Sequence, residues 1–298
     1  MICGPTAAGK TVAAMHLSQI AEIAVISADS RQVYRRFDIG TAKPTADERT
    51  AVPHYGIDVL EPTERASAAW WAAEADAWMR DAIARGRTPV IVGGTGLYLR
   101  ALFGELFEEP PMDPERRRAL QRELESLSVP ELRRWVQRLD PARVHLGRTQ
   151  LLRAIELPLL TGRRISELHR AQRRAPRWRA RYLVVDPGAV LASRIEQRTR
   201  AMFASGWPNE VRDLMRTVPH DAPAWNATGY ATVRETEQSA GPQLTRNAAE
   251  ERVIIDTRQY AKRQRTWFRH QLTGEDVTPI AHPRDEKGLA DWWQGADA

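Results

Sequence analysis

Cysteine is almost missing from this 298-residue chain, with Cys3 the only one. That excludes an internal disulfide and a cysteine-rich zinc site, and it fits a reducing cytoplasm. No apolar run reaches the length of a membrane span, so no membrane partner is expected. No charged leader with an apolar segment precedes the first motif, which argues against secretion. Repeats and low-complexity linkers are missing as well. Acidic residues fall short of basic ones, 38 against 44, for a net charge of +6. An excess of this size is compatible with a polyanionic partner without demanding one. What is present is an ordinary globular composition, 42% hydrophobic and 28% charged, enough for one large domain or two smaller ones. The ten tryptophans are many for the length, and core packing accounts for them. A cytoplasmic monomer is expected.

The chain opens MICGPTAAGKT, and GPTAAGKT has the G-x-x-x-x-G-K-[ST] form of a phosphate-binding loop. Gly4 and Gly9 permit a tight backbone wrap around one anion, with Pro5, Thr6, Ala7 and Ala8 between them. Lys10 adds a mobile positive charge, Thr11 offers a hydroxyl to Mg²⁺, and the following helix adds its dipole. The motif says polyphosphate without naming its owner. Around it, AVIS (24–27) and PVIV (89–92) read as buried strands. Helices are expected from Lys10 through Ala21 and from a cap at Thr63 or Ser67 to a stop at Gly86, the second carrying Trp70, Trp71, Ala75, Trp78, Met79 and Ile83. Alternating strands and helices predict an α/β fold, a parallel sheet flanked by helices like that of P-loop NTPases.

Pro110, Pro111 and Pro114 mark a change of character. Residues 113–179 read as a helical insertion rich in arginine: Arg116, Arg117, Arg118, Arg133, Arg134, Arg163, Arg164, Arg173 and Arg174. RYLVVD (181–186) then resumes the sheet, so the core is assigned to 1–112 and 180–298. The last strong helix is NAAEERVIIDTRQYAKRQRTWFRHQ, and little periodicity follows about Thr273. On that helix Arg258, Lys262, Arg265 and Arg269 form one positive stripe, suited to a phosphate backbone or simply a solvated face. Val253, Thr257, Tyr260, Gln264 and Trp267 form another, with aromatics that can pack or stack.

Two further stretches adjoin the loop. In SADSRQVYRRFDIGTAKP, Asp29 follows a strand and belongs at the carboxyl edge of the sheet, where ligands gather in such folds. It also reads as a Mg²⁺ ligand or a helix N-cap, and taken alone the N-cap is the better reading. In VIVGGTGLYLRAL, Gly93 and Gly94 allow close backbone approach and Thr95 offers a hydroxyl, and an ordinary strand-to-helix turn has the same composition. An NTPase would need a second acid after a strand; Asp186 is available, though Asp186-Pro187-Gly188 also reads as a turn.

Together these stretches resemble the tRNA dimethylallyltransferase (tRNA isopentenyltransferase) family. The similarity is spread over GPTAAGKT, SADSRQVYRRFDIGTAKP, VPHYGIDV, PVIVGGTGLYLRAL, MDPERR, LLRAIELPLLTGR, RIEQRTRAM and TRQYAKRQRTWFR. DSRQVY with DIGTAKP, and the TRQ–AKRQ–TW–R ending, carry most of its specificity. The resemblance implies transfer of a dimethylallyl group from its diphosphate to the exocyclic amine of the adenosine 3′ of a tRNA anticodon. It implies Mg²⁺ as cofactor and residues 4–11 as the diphosphate cradle. Asp29 matches the family's general base. Lys10, Thr11 and Thr95 match positions that meet the leaving group, and Arg198 matches an arginine reaching the diphosphate, with Arg194 as its substitute. For tRNA contact the resemblance implies Asp29, Ser30, Arg31, Gln32 and Thr95, with Arg117 and the stretch Gln150, Leu151, Leu152, Arg153 and Ala154. It adds Gly229 and Tyr230 within the Asn226–Tyr230 stretch, and Lys262, Arg263, Gln264, Trp267 and Arg269, with the insertion closing on the anticodon stem-loop.

This sequence departs from the family pattern in places. Thr228-Gly229-Tyr230 stands where Ile-Gly-Tyr is usual, Gly206-Trp207 where Gly-Leu is usual, and HLGRTQ lacks the Pro-Asn-Asp expected before LLRAIE. A zinc finger of the eukaryotic kind is excluded by the cysteine count, so the chain is of bacterial type. A P-loop kinase, a prenyltransferase acting on free adenine nucleotides, and a non-enzymatic RNA-binding protein with a nucleotide switch are the alternatives. Only three residues precede Gly4, where a central strand usually has five or six, and an upstream start with Met1 internal is slightly favoured.

Overall fold

The computed structural model describes residues 1–103, 110–171, 178–238, 244–272, 274 and 276–295. Arg173 and Arg174 lie outside the described residues. Two compact units divide the chain: Met1–Leu102 with Arg179–Ala298, and Phe103–Trp178. No helix among the described residues is long and apolar enough to cross a membrane.

The larger unit is built on six parallel strands: β1 (Ile2–Cys3), β2 (Ile23–Ala28), β3 (His54–Tyr55), β4 (Thr88–Gly93), β5 (Tyr182–Val185) and β6 (Val277–Ile280), in the order β3-β2-β4-β1-β5-β6. Every residue of β2 is buried, as expected of a parallel strand covered on both faces. β1 is two residues long yet central, with Ile2 opposite Val92 on one side and Leu183 on the other. One core gathers Ile2, Leu17, Ile23, Val25, Val90, Leu183 and Val185.

The strands point their carboxyl ends at the functional loops. Helix Lys10–Leu17 ends at Leu17, four residues short of the sequence expectation, because Ser18–Ala21 turn back on the carbonyls of Ala14, His16 and Leu17. Helix Ala68–Ala84 is capped by Ser67, whose side chain accepts from the Trp70 N–H, so Thr63 is not the cap. Its buried face is Trp71, Ala75, Met79 and Ala82, and Ile83 is half exposed, placing it on the flank rather than the core stripe. Gly86 closes the helix with a positive φ of 73°.

The C-terminal tail corrects the sequence reading most. Instead of an aperiodic end, it supplies β6, which pairs with β5, and helix Glu286–Gln294, capped by Asp285 through Gly288 N–H. Pro279 lacks an N–H to donate, and the edge position of β6 tolerates that. Leu289 and Trp292 from this helix enter the main core.

The smaller unit holds helices Pro114–Glu125, Val129–Leu139, Arg148–Thr161 and Ile165–Ala171. MDPERR is a helix start in full: Asp113 accepts from the N–H groups of Glu115 and Arg116, and Pro114 takes the first helical position. The core includes Leu132, Val136, Leu151, Ala154, Ile155 and Leu168. Leu151 and Ala154 have no exposed surface, so their side chains face this core and not an RNA ligand, a correction to the 150–154 stretch. Glu156 is also buried and is clasped by Arg117 Nε at 2.7 Å, Gln121 Nε2 at 2.6 Å and the Arg153 guanidinium. Arg117 and Arg153 are therefore committed to neutralising a buried acid.

Candidate active site

The phosphate loop joins β1 to helix Lys10–Leu17. Gly4 has a φ of 144°, and a Cβ there would stand 2.2 Å from the Val185 carbonyl oxygen, so only glycine fits. The Lys10 ammonium donates to the Pro5 carbonyl at 2.8 Å, curling back over the loop. Burial pulls Lys10 down to about 8; the Asp29 carboxylate opposes this and Arg198 adds to it. Arg198, on helix Leu191–Ala204, reaches the Thr6 hydroxyl at 3.4 Å, and burial lowers its pKa while Asp29 again opposes. Arg194 lies one turn away and donates to the Ala8 carbonyl at 3.1 Å, supporting the loop from outside.

Asp29 sits just beyond β2. Its Oδ1 accepts from the Arg31 N–H at 2.8 Å in an Asx turn; no helix starts there, so Asp29 is not a helix N-cap. Its Oδ2 makes no hydrogen bond among the described residues. The Ser30 N–H donates to the Thr95 hydroxyl at 3.3 Å, which ties the ends of β2 and β4 together. Gln32 has both ends of its amide occupied, accepting from Ser27 Oγ at 3.1 Å and donating to the carbonyls of Thr41 and Ala42. It braces the DIGTAKP loop rather than offering its amide to a base. Lys43 completes the brace, buried and bonded to Tyr34 O, Asp38 and Asp58.

Two chambers meet at this point. One, of about 260 Å³, is lined by Thr6, Ala7, Gly9, Lys10 and Thr11 of the loop with Asp29, Gln32, Lys43, Gly93, Gly94, Arg198, Tyr260 and Gln264. The other, of about 350 Å³, has a polar side of Asp29, Ser30, Arg31, Arg198, Tyr260 and Arg263 and an apolar side of Ile195, Met202, Trp207 and Val253. Thr6, Ala7, Asp29, Arg198 and Tyr260 border both. Trp207, one of the departures from the family pattern, fits between two glycines: a Cβ on Gly40 would meet its ring at 2.2 Å and one on Gly229 at 2.4 Å. Tyr230 is wholly buried under it, 5.2 Å between ring centroids, with its hydroxyl donating to Glu210 at 2.6 Å. That corrects the expectation of an RNA contact at Tyr230. Its neighbours Asn226, Ala227 and Thr228 do line the larger chamber.

Helix Arg246–Gln271 walls the site with its polar-aromatic stripe. Gln264 accepts from the Thr6 N–H at 2.8 Å and donates to the Gly94 carbonyl at 2.9 Å, so it clasps the phosphate loop to the end of β4. A Cβ on Gly96 would meet the Trp267 ring at 2.4 Å, so that indole rests against the turn after β4. Both were expected to face tRNA, and their contacts are internal. The neighbouring basic stripe is half neutralised: Arg258 pairs with Glu196 and Arg265 holds both oxygens of Asp186. Lys262 and Arg269 are exposed and have no ion pair among the described residues.

The sequence reading treated Tyr260 only as a packing or stacking residue. In the structure it borders both chambers. Its place one helical turn before Gln264 was the only signal available.

A family model described as IPP transferase matches residues 32–271, and one described as isopentenyl transferase matches residues 1–54. The chain is 42% identical over 296 residues to a tRNA dimethylallyltransferase of Anaeromyxobacter dehalogenans (strain 2CP-C), covering 97% of each. It is 40% identical over 299 residues to one of Thermus thermophilus, covering 98% of this chain and 96% of the relative. Among solved structures, the full-length tRNA isopentenylpyrophosphate transferase of Bacillus halodurans superposes with a TM-score of 0.70 at 31% identity, over 99% of this chain and 94% of that one.

Proposed function

The chain belongs to the IPP transferase family, and from that premise we propose that it transfers a dimethylallyl group from dimethylallyl diphosphate to tRNA, at the exocyclic amine of the adenosine 3′ of the anticodon. One observation carries the reading: the Asp29 carboxylate, with Oδ2 unengaged, stands where a cationic loop chamber meets a second, partly apolar chamber. An adenine amine is a poor nucleophile because its lone pair is delocalised into the ring. As its nitrogen bonds to the first carbon of the prenyl group, the carbon–oxygen bond to diphosphate breaks and its electron pair leaves with the diphosphate. The amine proton passes to Asp29. Lys10, Arg198 and the loop N–H groups meet the charge gathering on the departing oxygen. The target base must leave its stack to reach such a chamber, as in other enzymes that modify bases.

Mg²⁺ fits the donors present. Such an ion keeps several waters and takes most ligands from substrate phosphates, so it needs few protein oxygens. Thr11 lines the loop chamber and supplies a hydroxyl there. When bound with the diphosphate, Mg²⁺ would offset part of its negative charge. The kinase alternative loses its second acid, because Asp186 is taken by Arg265 and by the Gly188 N–H. The test is one incubation of the purified chain with Mg²⁺, labelled dimethylallyl diphosphate and unmodified tRNA. Label in tRNA is expected; label on a free adenine nucleotide, or none transferred, overturns the proposal.

A further inference from the structure

Helix Leu191–Ala204 carries Ile195, Arg198 and Met202 on one face at turn spacing, and all three border the larger chamber. Arg198 also reaches the Thr6 hydroxyl of the phosphate loop. Met202 lies one turn beyond Arg198, and the chain then turns at Gly206, with a φ of 96°, into helix Trp207–Thr217. Met202 packs against the apolar cluster that contains Trp207. Trp207 is 1% exposed, with its ring centroid 5.3 Å from that of Phe203 and 5.2 Å from that of Tyr230. One turn later on its helix, Glu210 accepts from the Asp38 N–H at 3.1 Å and the Ile39 N–H at 2.7 Å, which pins the loop carrying Gly40 against the indole. Gln32 holds that loop from its other end, through the carbonyls of Thr41 and Ala42. The wall at Trp207 is braced on every side, and so closely packed a wall yields little. The indole N–H has no hydrogen-bond partner among the described residues, so what the ring contributes is bulk.

Two occupants share the larger chamber in the reaction, and its two sides differ. The base presents ring nitrogens and an amine, which suit the side of Asp29, Ser30, Arg31 and Arg263. The prenyl tail is hydrocarbon, which suits Ile195, Met202, Trp207 and Val253. Resting on the transfer reading above, we propose that Trp207 is a specificity-determining residue, whose indole closes the far end of the prenyl pocket and limits the allylic diphosphate to a single isoprene unit. Geranyl diphosphate, one isoprene unit longer, has the same reacting carbon and the same leaving group. The bonds made and broken are therefore unchanged, and the amine proton still passes to Asp29. Its extra unit would have to enter the space that the indole fills. A smaller apolar residue at position 207 frees that space, between Gly40 and Gly229, and opens it to the chamber.

The test compares dimethylallyl and geranyl diphosphates on the full chain with unmodified tRNA. The wild type should favour the shorter substrate by more than about a hundredfold in kcat/KM, because overfilling an unyielding pocket is costly. Trp207→Leu should narrow this preference by at least about tenfold, and Trp207→Phe by about threefold. Both variants lose packing and will melt lower. The ratio of two substrates on one variant does not depend on how much of it is folded. A fall in both activities by the same factor would make the indole structural only and overturn the proposal. A raised KM for tRNA with an unchanged chain-length preference overturns it too, by placing the base against Trp207, as does a wild type that uses geranyl diphosphate just as readily. Thermal shift supplies a readout that requires no transfer. Geranyl diphosphate should raise the melting temperature of Trp207→Leu more than that of the wild type, while dimethylallyl diphosphate raises both alike. Equal shifts with geranyl diphosphate count against the proposal. If Trp207→Leu does not fold, Trp207→Phe carries the same two readouts. A wild-type chain that transfers no label would sink the transfer reading alone, since the shifts would still report which chain length the pocket takes.

Discussion

Lys10 and Arg198, beside the phosphate loop, are held by neutral groups: a carbonyl for one and a hydroxyl for the other. Arg258 and Arg265, on the long C-terminal helix, are held by carboxylates. Arg117 and Arg153 in the smaller unit share the buried Glu156. All six are basic residues that a sequence presents alike. They differ in what an arriving anion would find. A cation already paired with an acid must break that pair to bind anything new, and the exchange gains little. A partly buried cation bonded only to dipoles keeps most of its attraction for an arriving anion, although the nearby Asp29 carboxylate offsets part of it. The cost appears in the folded protein itself, as the downward pull of burial on Lys10 and Arg198. Asp29 belongs with them, since its carboxylate acts on both cations while its Oδ2 makes no hydrogen bond of its own among the described residues.

The largest break in this comparison comes from Asp29. Replacing it with Asn keeps the Asx turn to Arg31 and removes the proton acceptor. Transfer should fall by roughly a hundredfold to ten-thousandfold, the range for loss of a general base, while tRNA binding stays within about twofold. Near-normal turnover would remove Asp29 from that role and leave the cations as the whole of the site.

Lys10 is the next test. Lys10→Met should raise KM for the prenyl diphosphate on the order of a hundredfold, since a half-buried cation lining the loop chamber is lost. The same change should raise the melting temperature by ~2–4 °C, because an apolar side chain replaces a desolvated, half-buried charge. Loss of function with gain of stability is what a strained functional cation predicts. The pH dependence follows. Burial holds Lys10 near 8 in the fold, against an ordinary value of 10.5. In the free protein it loses its proton above about pH 8, so diphosphate affinity should be flat below that and weaken about tenfold per unit above it. Between about 8 and 10.5 the unfolded chain binds the extra proton, so folding stability gains with rising pH there and the advantage of Lys10→Met shrinks. A constant difference in melting temperature across this window would refute the depressed pKa.

Much of this arrangement was readable in the sequence, for physical reasons. GPTAAGKT needs its glycines wherever it occurs, because Gly4 packs against a carbonyl at a φ few residues accept. Strand β2 and the capped helix Ala68–Ala84 announced themselves by apolar runs and helical periodicity. Strand β6 did not, being four residues long with a proline that suits only an edge. The pairing of charges was also hidden, since Arg265 meets Asp186 and Arg258 meets Glu196 across large separations that no local spacing encodes. For the same reason a resemblance to RNA-contacting segments could not separate Tyr230, buried against Glu210, from Lys262, exposed on its helix. Tyr260 gives no sign of its place in the sequence, because Thr6, Asp29 and Arg198, which border the same two chambers, lie on other elements.

The smallest effects sharpen the comparison within one helix. Lys262 and Arg269 stand on the same stripe as Arg265, and counting charges would give all three the same role in binding tRNA. Their company says otherwise. Lys262→Ala with Arg269→Ala should weaken tRNA binding several-fold and flatten the dependence of log affinity on log salt by roughly 0.7–0.9 per cation that meets a phosphate. Arg265→Ala should leave that slope unchanged, because its guanidinium is occupied by Asp186 and the Gly188 carbonyl. It should instead lower the melting temperature by ~1–3 °C, a modest loss because the pair is partly exposed. The two measurements together are stricter than either alone. A slope change at Arg265 equal to that at Lys262 would mean that RNA displaces Asp186, and internal pairing would then not distinguish the cations that bind from those that brace.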